Sequence, residues 1–179
     1  VKKKFNKNYN KFSEEEKMIY EAMKDFATNE LLPLSQNELN KKDEKLIRKL
    51  VEQMGELGFL GIDVPEKYGG SEMTKTGMCI LAEGISFCGS ASFCTVWNVQ
   101  TSIGALGIIW YGNDEQKKKW LPGICSGEKI TAFGLTEPEA GSDATNSKTV
   151  GVLSDDGKHY IVNGPVSYTH LTLPTISRV

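Results

Sequence analysis

Apolar residues recur at helical spacing from residue 13 to residue 128, and polar start and stop signals divide them into five predicted helices. Ser13 and Glu16 have the spacing of a capping box, and Pro33 ends the helix that they begin. The other helices are predicted at residues 43–57, 74–87, 93–111 and 114–121. The pattern therefore predicts a helical domain over residues 13–128, after a polar, lysine-rich lead-in at residues 1–12.

The fourth predicted helix, residues 93–111, is apolar nearly all round. Surface helices usually carry one apolar stripe and one polar face, whereas a helix without a polar face is typically enclosed on every side. We therefore expect residues 93–111 to form one central, buried helix.

Near residue 129 the hydrophobic period changes from that of a helix toward the period of two that is typical of strands. Strands are predicted at residues 129–135, 147–153 and 159–163, and an Asp-Gly turn within the sequence SDDGK joins the last two. The fold class is therefore α+β, with a mainly helical domain followed at residues 129–164 by the first strands of a β domain.

Composition and charge remove several classes of function. The 179 residues include 21 Lys and Arg against 23 Asp and Glu, which gives a net charge of −2 and no basic surface for nucleic acid. No apolar run approaches the roughly 20 residues that a membrane span needs, and no signal-peptide pattern opens the chain. We expect a cytoplasmic protein that has no membrane span and does not bind nucleic acid.

The cysteines and histidines lack the paired spacing of zinc ligands: Cys79, Cys88, Cys94, Cys125, His159 and His170. We expect the thiols to be buried and reduced, as in most cytoplasmic proteins, and we expect no metal site.

One segment, residues 131–144, has a pattern that neither core packing nor regular secondary structure explains. It leaves a predicted strand and enters a loop in which Ala140 and Gly141 precede Ser142 and Asp143. Small residues let a backbone approach a ligand, and free amides beside a serine can hold an anion such as a phosphate. The hydroxyl of Thr136 could bond a heterocycle. From these residues alone, a plain turn is the more common structure for such a sequence.

Several long motifs resemble the acyl-CoA dehydrogenase family. They are LTEPEAGSDA, the upstream ELGFLGIDVPEKYGG and SIGALGIIWYGNDEQKKKWLPGICSGEKITAFG, and the downstream HYIVNG. The resemblance covers residues 13–164 and implies a FAD-dependent enzyme that oxidises a fatty acyl-CoA to the trans-2-enoyl-CoA. It implies an N-terminal helical domain, a middle β domain and a C-terminal four-helix domain, of which this chain resembles the first and the opening of the second. The loops are most similar to those of long- and very-long-chain members.

The resemblance also assigns residues to the flavin. Phe133, Leu135 and Thr136 would contact the isoalloxazine edge, with the Thr136 hydroxyl on its pyrimidine side. Gly141 and Ser142 would lie by the pyrophosphate and the acyl-CoA, and Ser142 would bond the substrate. Fixed donors at the pyrimidine ring favour the negative charge of a reduced flavin.

Residues 100–104 would lie near the acyl channel according to the resemblance, although packing in the core is the more common role for such residues. The family's glutamate base lies beyond residue 164, so no residue here is assigned as catalytic, and neither Glu137 nor Glu139 is a candidate base. Glu139 departs from the family pattern, in which Gly or Asp is common, and we expect this change to be tolerated.

The resemblance implies an electron-transfer flavoprotein as partner and a homo-oligomer for the full-length protein. Alternatives on the same scaffold are an acyl-CoA oxidase, a nitroalkane oxidase or a flavin-dependent monooxygenase. A different class of alternative is a non-catalytic helical interaction domain. We expect the 179-residue chain itself to be inactive.

The end of the chain resembles a translated sequencing-library adapter. The string VSYTHLTLPT from Val166 to Thr175 is one reading frame of a transposase-end adapter, and the same frame accounts for residues 176–179. We therefore expect residues 165–179 to be a non-native tail that is not part of the fold. The alternative is a short native strand.

Overall fold

The structure is a computed structural model that describes residues 9–34, 38–39 and 43–167. Its residues divide into two compact units, of which the first ends at Ala132 and the second begins at Phe133. Most of the predicted lead-in and residues 168–179 of the predicted tail lie outside the described residues. The predicted domain limits, 13–128 and 129–164, stay predictions.

The first unit is helical. Within the described residues its α-helices are α1 (Glu14–Phe26), α2 (Glu44–Glu56), α3 (Lys75–Ile85), α4 (Ala91–Thr101), α5 (Ile103–Tyr111) and α6 (Asp114–Cys125). A π-helical turn at Ala27–Leu31 extends α1, and 3₁₀ turns occur at Glu66–Tyr68 and Ser86–Cys88. No helix in the described ranges is long and apolar enough to cross a membrane.

Side-chain caps fix where these helices begin. The Glu16 amide donates to Ser13 Oγ at 3.1 Å and the Ser13 amide donates to Glu16 Oε2 at 3.0 Å, which confirms the predicted capping box. The side chains of Asp43 and Thr74 accept from backbone amides at the start of α2 and α3, and Asn113 forms a second capping box before α6. The N-terminal ends of these helices are therefore set by local sequence.

The core of the first unit lies between α1, α2, α3 and α4 and the loop that follows α2. Its largest enclosed side chains include Met23, Leu50, Met54, Phe59, Leu81 and Phe93. Trp97 also lies in this core, where its indole Nε1 donates to the Phe59 carbonyl at 3.1 Å. A smaller cluster joins α5 and α6 to the 3₁₀ turn at Glu66–Tyr68.

The prediction of one buried helix over residues 93–111 is wrong in two respects. Ser102, with φ −121° and ψ −104°, separates α4 from α5. The hydroxyls of Thr101 and Ser102 both donate to carbonyls four residues earlier, a contact that bends helices. In α5 only Ala105 is buried, while Trp110 is 65% and Tyr111 87% exposed. An apolar pattern on all sides could not indicate which side this chain covers.

The last helix is longer than predicted. The sequence predicts an end at Leu121, but α6 continues through Pro122 to Cys125. Proline removes one backbone donor, which near a helix end costs a single intrahelical bond. The buried side chains of Leu121, Ile124 and Cys125 hold this last turn in place.

The second unit contains a β-hairpin. Strands β1 (Val150–Leu153) and β2 (Tyr160–Asn163) pair antiparallel, with Val150 opposite Asn163 and Leu153 opposite Tyr160. Gly157 in the connecting turn has φ +67°, a conformation that favours glycine, so the predicted Asp-Gly turn is confirmed. Every residue of both strands is exposed.

The predicted strand at residues 129–135 does not form a ladder among the described residues. The segment forms neither helix nor strand, because strand structure requires a neighbouring strand to accept and donate its backbone hydrogen bonds. The fold class is nevertheless confirmed, since a mainly helical domain is followed by the first strands of a β domain.

The cysteines depart in part from the prediction. Cys88 and Cys125 are buried, and burial raises the pKa of the Cys125 thiol to about 11. Cys79 is exposed and Cys94 half-buried, so the expectation of four buried thiols is wrong for these two.

Candidate functional site

The predicted cofactor residues lie on an exposed stretch at the start of the second unit. Phe133 is 50% and Leu135 43% exposed, large values for apolar side chains. Thr136, Gly141 and Ser142 are exposed as well. Their side chains are therefore accessible to a ligand in this chain.

A tight turn brings the two parts of this stretch together. The Glu137 and Ala140 backbones exchange two hydrogen bonds of 3.1 Å each, with Pro138 and Glu139 between them. Proline pre-sets the backbone angle that the first central position of such a turn requires. Thr136 therefore directly precedes the turn, and Gly141 directly follows it. The sequence places these residues in one loop but carries no signal for the two hydrogen bonds that close the turn between them.

The turn is anchored by Glu137, which is only 3% exposed. Its Oε2 accepts from the Lys148 amide at 2.6 Å, and its Oε1 accepts from the Thr149 amide at 2.9 Å and the Thr149 hydroxyl at 2.5 Å. The Thr149 hydroxyl, followed by the Lys148 amide, holds the pKa of Glu137 below its usual range. A carboxylate whose two oxygens are both engaged in this way is a structural acceptor, in keeping with its exclusion as a catalytic base.

The flanks of the turn carry hydrogen-bond donors that the protein does not use. Within the described ranges, the hydroxyls of Thr136 and Ser142 and the amides of Gly141 and Ser142 bond no other protein group. A Cβ built on Gly141 would meet nothing within 4 Å, so a ligand can approach the backbone here. Hydroxyls and free amides suit carbonyl and phosphate oxygens, which flavin nucleotides carry. The donor set therefore fits the FAD that the resemblance implies.

In the first unit, the side chain of Gln100 forms hydrogen bonds with residues 129–131, which precede the exposed stretch in the sequence. Its side chain is 1% exposed, and Nε2 donates to the carbonyls of Ile124 at 2.9 Å and Lys129 at 2.7 Å. Its Oε1 accepts from the Thr131 amide at 2.8 Å and the Thr131 hydroxyl at 3.1 Å. Gln100 therefore lies in the core, and its amide is bonded to protein on both ends. The sequence favours a core position for Gln100 but carries no signal for these partners.

Comparison with known proteins gives one consistent family. A family model described as acyl-CoA dehydrogenase, N-terminal domain, matches residues 13–128. A probable acyl-CoA dehydrogenase of Bacillus subtilis is 43% identical over 153 residues, which cover 86% of this chain and 25% of that protein.

Solved structures agree with the sequence match. The crystal structure of an acyl-CoA dehydrogenase complexed with FAD from Bacillus anthracis matches with a TM-score of 0.79 and 42% identity, over 87% of this chain and 26% of that one. A structure described as the electron transferring flavoprotein of Acidaminococcus fermentans matches with a TM-score of 0.71 and 34% identity, over 90% and 40% of the respective chains. The chain thus spans between a quarter and two fifths of the length of these relatives.

Proposed function

Because the chain belongs to the acyl-CoA dehydrogenase family, we propose that it forms the helical domain and the first β-strands of a FAD-dependent enzyme that oxidises a fatty acyl-CoA to the trans-2-enoyl-CoA. The single observation that carries this proposal is the exposed, unused donor set on the two flanks of the Glu137–Ala140 turn. The similarity to a solved acyl-CoA dehydrogenase complexed with FAD supports the choice of cofactor.

Each predicted site residue has a role in this proposal. The Thr136 hydroxyl donates to the pyrimidine side of the flavin, and Phe133 and Leu135 cover its edge. The amides at Gly141 and Ser142 bind the pyrophosphate, and the Ser142 hydroxyl orients the substrate. Bound FAD supplies the hydride-accepting chemistry, whereas these residues bind, orient and exclude water.

The base that removes the α-proton comes from outside residues 1–164. Glu137 is engaged by three hydrogen bonds, and Glu139 lies exposed on the turn without a role in the proposed chemistry. We therefore propose that the 179-residue chain is inactive and binds FAD poorly. The exposed hairpin supports this, because both of its faces lack the packing that would order a complete cofactor site.

An electron-transfer flavoprotein is proposed as the partner of the full-length enzyme, as the family resemblance implies. A homo-oligomer, a long or very long acyl chain and a cytoplasmic location are proposed from the family resemblance and composition.

The test uses two proteins. The 179-residue chain, purified after incubation with FAD, should retain far less than one flavin per chain, and stoichiometric flavin would contradict the proposed inactivity. The second protein is the product of the source locus, read onward past the codon for Gly164. It should carry flavin that acyl-CoA bleaches without oxygen and that an electron-transfer flavoprotein reoxidises.

Three results would contradict part of this proposal. Hydrogen peroxide formation at the rate of substrate use would indicate an oxidase. The absence of flavin from the full-length product would favour the non-catalytic alternative. A genomic sequence that itself encodes residues 166–179 and then stops would contradict the adapter interpretation.

A further inference from the structure

Among the described residues, Glu137 is the only charged side chain in the buried set. Its neighbours Thr136, Pro138 and Glu139 are all exposed. Charged side chains are almost never fully buried unless they are paired. The burial of Glu137 within an exposed loop therefore calls for a specific partner.

The partners of Glu137 are two backbone amides and one hydroxyl rather than a salt-bridged cation. Glu137 accepts from the amides of Lys148 and Thr149 and from the Thr149 hydroxyl, while the Lys148 ammonium donates to Asn146 Oδ1 at 2.9 Å. Residues 148 and 149 directly precede β1. The carboxylate therefore ties the Glu137–Ala140 turn to the residues just before β1, through these two backbone amides and the Thr149 hydroxyl.

The geometry requires an acceptor at both oxygens. In a Glu137→Gln variant one oxygen becomes an NH₂ group, which can only donate. If this NH₂ group turns toward Lys148, the Lys148 amide loses its acceptor; if it turns toward Thr149, the Thr149 amide loses its acceptor. Glutamine has nearly the same volume, so this change alters the hydrogen bonding and leaves the packing in place.

We propose that Glu137 is a positioning residue for the cofactor: it sets the spacing between Thr136 on one side of the turn and Gly141–Ser142 on the other. This inference rests on the proposed function, since it is FAD that would use the two sets of donors together. Glu137 does not touch the flavin in this proposal; it acts through the turn, which it holds against residues 148–149.

The first measurement is amide hydrogen exchange in the 179-residue chain. Glu137→Gln should speed exchange at residues 148 and 149 by about tenfold, the size expected for the loss of a hydrogen bond to a charged group. Glu139→Gln is the matched control, because it removes the same charge from the same turn at an exposed position. It should leave this exchange unchanged.

The second measurement is FAD affinity and the flavin absorption spectrum of the full-length enzyme. Glu137→Gln should weaken FAD about tenfold and change the spectrum, whereas Glu139→Gln should stay within about twofold of the unaltered enzyme. Thr149→Val, which removes one donor, should weaken FAD less than Glu137→Gln does. Thr149→Ser keeps the hydroxyl and should restore the affinity.

The outcomes separate this inference from the proposed function. An unaltered full-length enzyme that binds no FAD contradicts both. If that enzyme binds FAD and Glu137→Gln matches Glu139→Gln in affinity and spectrum, the positioning role is wrong while the proposed function stands. If Glu137→Gln does not fold, the Thr149 pair decides, and equal FAD affinity for the valine and serine variants overturns the inference.

Discussion

Replacing Gln100 by leucine should strongly destabilise the helical unit. The side chain is 1% exposed and its amide joins α4 to the end of α6 and to residues 129–131. Leucine has a similar volume but cannot form any of the four hydrogen bonds. The change therefore tests the bonding and leaves the packing nearly intact.

The magnitude follows from the partners that are left behind. Lys129 O and Thr131 N lose the only hydrogen bonds that the described residues give them, while Ile124 O keeps a bond from the Gly127 amide at 3.3 Å. Each buried polar group left without a partner costs about 1–3 kcal/mol. Lys129 and Thr131 are half-buried, so water offsets part of this cost. We expect a loss of about 2–3 kcal/mol from the free energy of unfolding.

Urea unfolding of the 179-residue chain, followed by the fluorescence of its three tryptophans, of which Trp97 is buried, measures this loss. With a denaturant slope of about 2 kcal/mol per molar, the midpoint should fall by about 1–1.5 M. Ser92→Leu, an exposed position on the same helix, is the control and should stay within about 0.5 kcal/mol. Thr131→Val should cost less than Gln100→Leu, because Oε1 keeps the Thr131 amide. Equal midpoints for Gln100→Leu and Ser92→Leu would refute the reasoning.

Two further sites give predictions with a defined sign. Gly84→Ala should destabilise the chain by about 1–2 kcal/mol in urea unfolding, because the new Cβ would lie 2.3 Å from Met23 Cγ in the core and overpacking outweighs the gain in helix propensity. Hydrogen bonds from the Lys118 ammonium, the larger cause, and from the Tyr68 hydroxyl lower the pKa of Asp114 from 3.8 to about 2. The ionised Asp114 therefore stabilises the fold above pH 3.8, and this stabilisation is lost as the pH falls through 2. In Asp114→Asn the unfolding midpoint should fall less steeply between pH 6 and pH 2, the acid limb of the pH profile, than it does in the unaltered chain. Tyr68→Phe should raise the pKa of Asp114, observed by carboxyl chemical shift, but leave it below 3.8 because Lys118 remains.

Controls exist for both sites. Gly107→Ala in α5 meets nothing within 4 Å and should stabilise the chain by about 0.5–1 kcal/mol, so destabilisation by both alanine variants would contradict the packing argument. Glu115→Gln, which removes an exposed carboxyl next to Asp114 on the same helix, is the matched control and should flatten the acid limb less than Asp114→Asn does. A limb that flattens equally in both variants would show that Asp114 is not its source.

The candidate site was predictable only in part. The residues on the flanks of the turn follow from the resemblance of LTEPEAGSDA to a known family, and their roles toward FAD stay predictions. The burial of Glu137 and its bonds to residues 148–149 had no signal in the sequence, because its partners lie 11 and 12 residues away. An acidic residue in a polar loop has the pattern of a solvated turn, whether or not the fold encloses it.

What the sequence determined by itself is local. The capping residues Ser13, Asp43 and Asn113 set helix starts, and Gly157 sets the hairpin turn, because each acts on backbone groups within a few positions. Tertiary structure alone decided what depends on distant partners: the side of α5 that is covered, the burial of Glu137, and the absence of a ladder for residues 129–135 among the described residues. Hydrophobic period indicates that a segment can pack, but burial and strand pairing require a second surface, and only the folded chain supplies it.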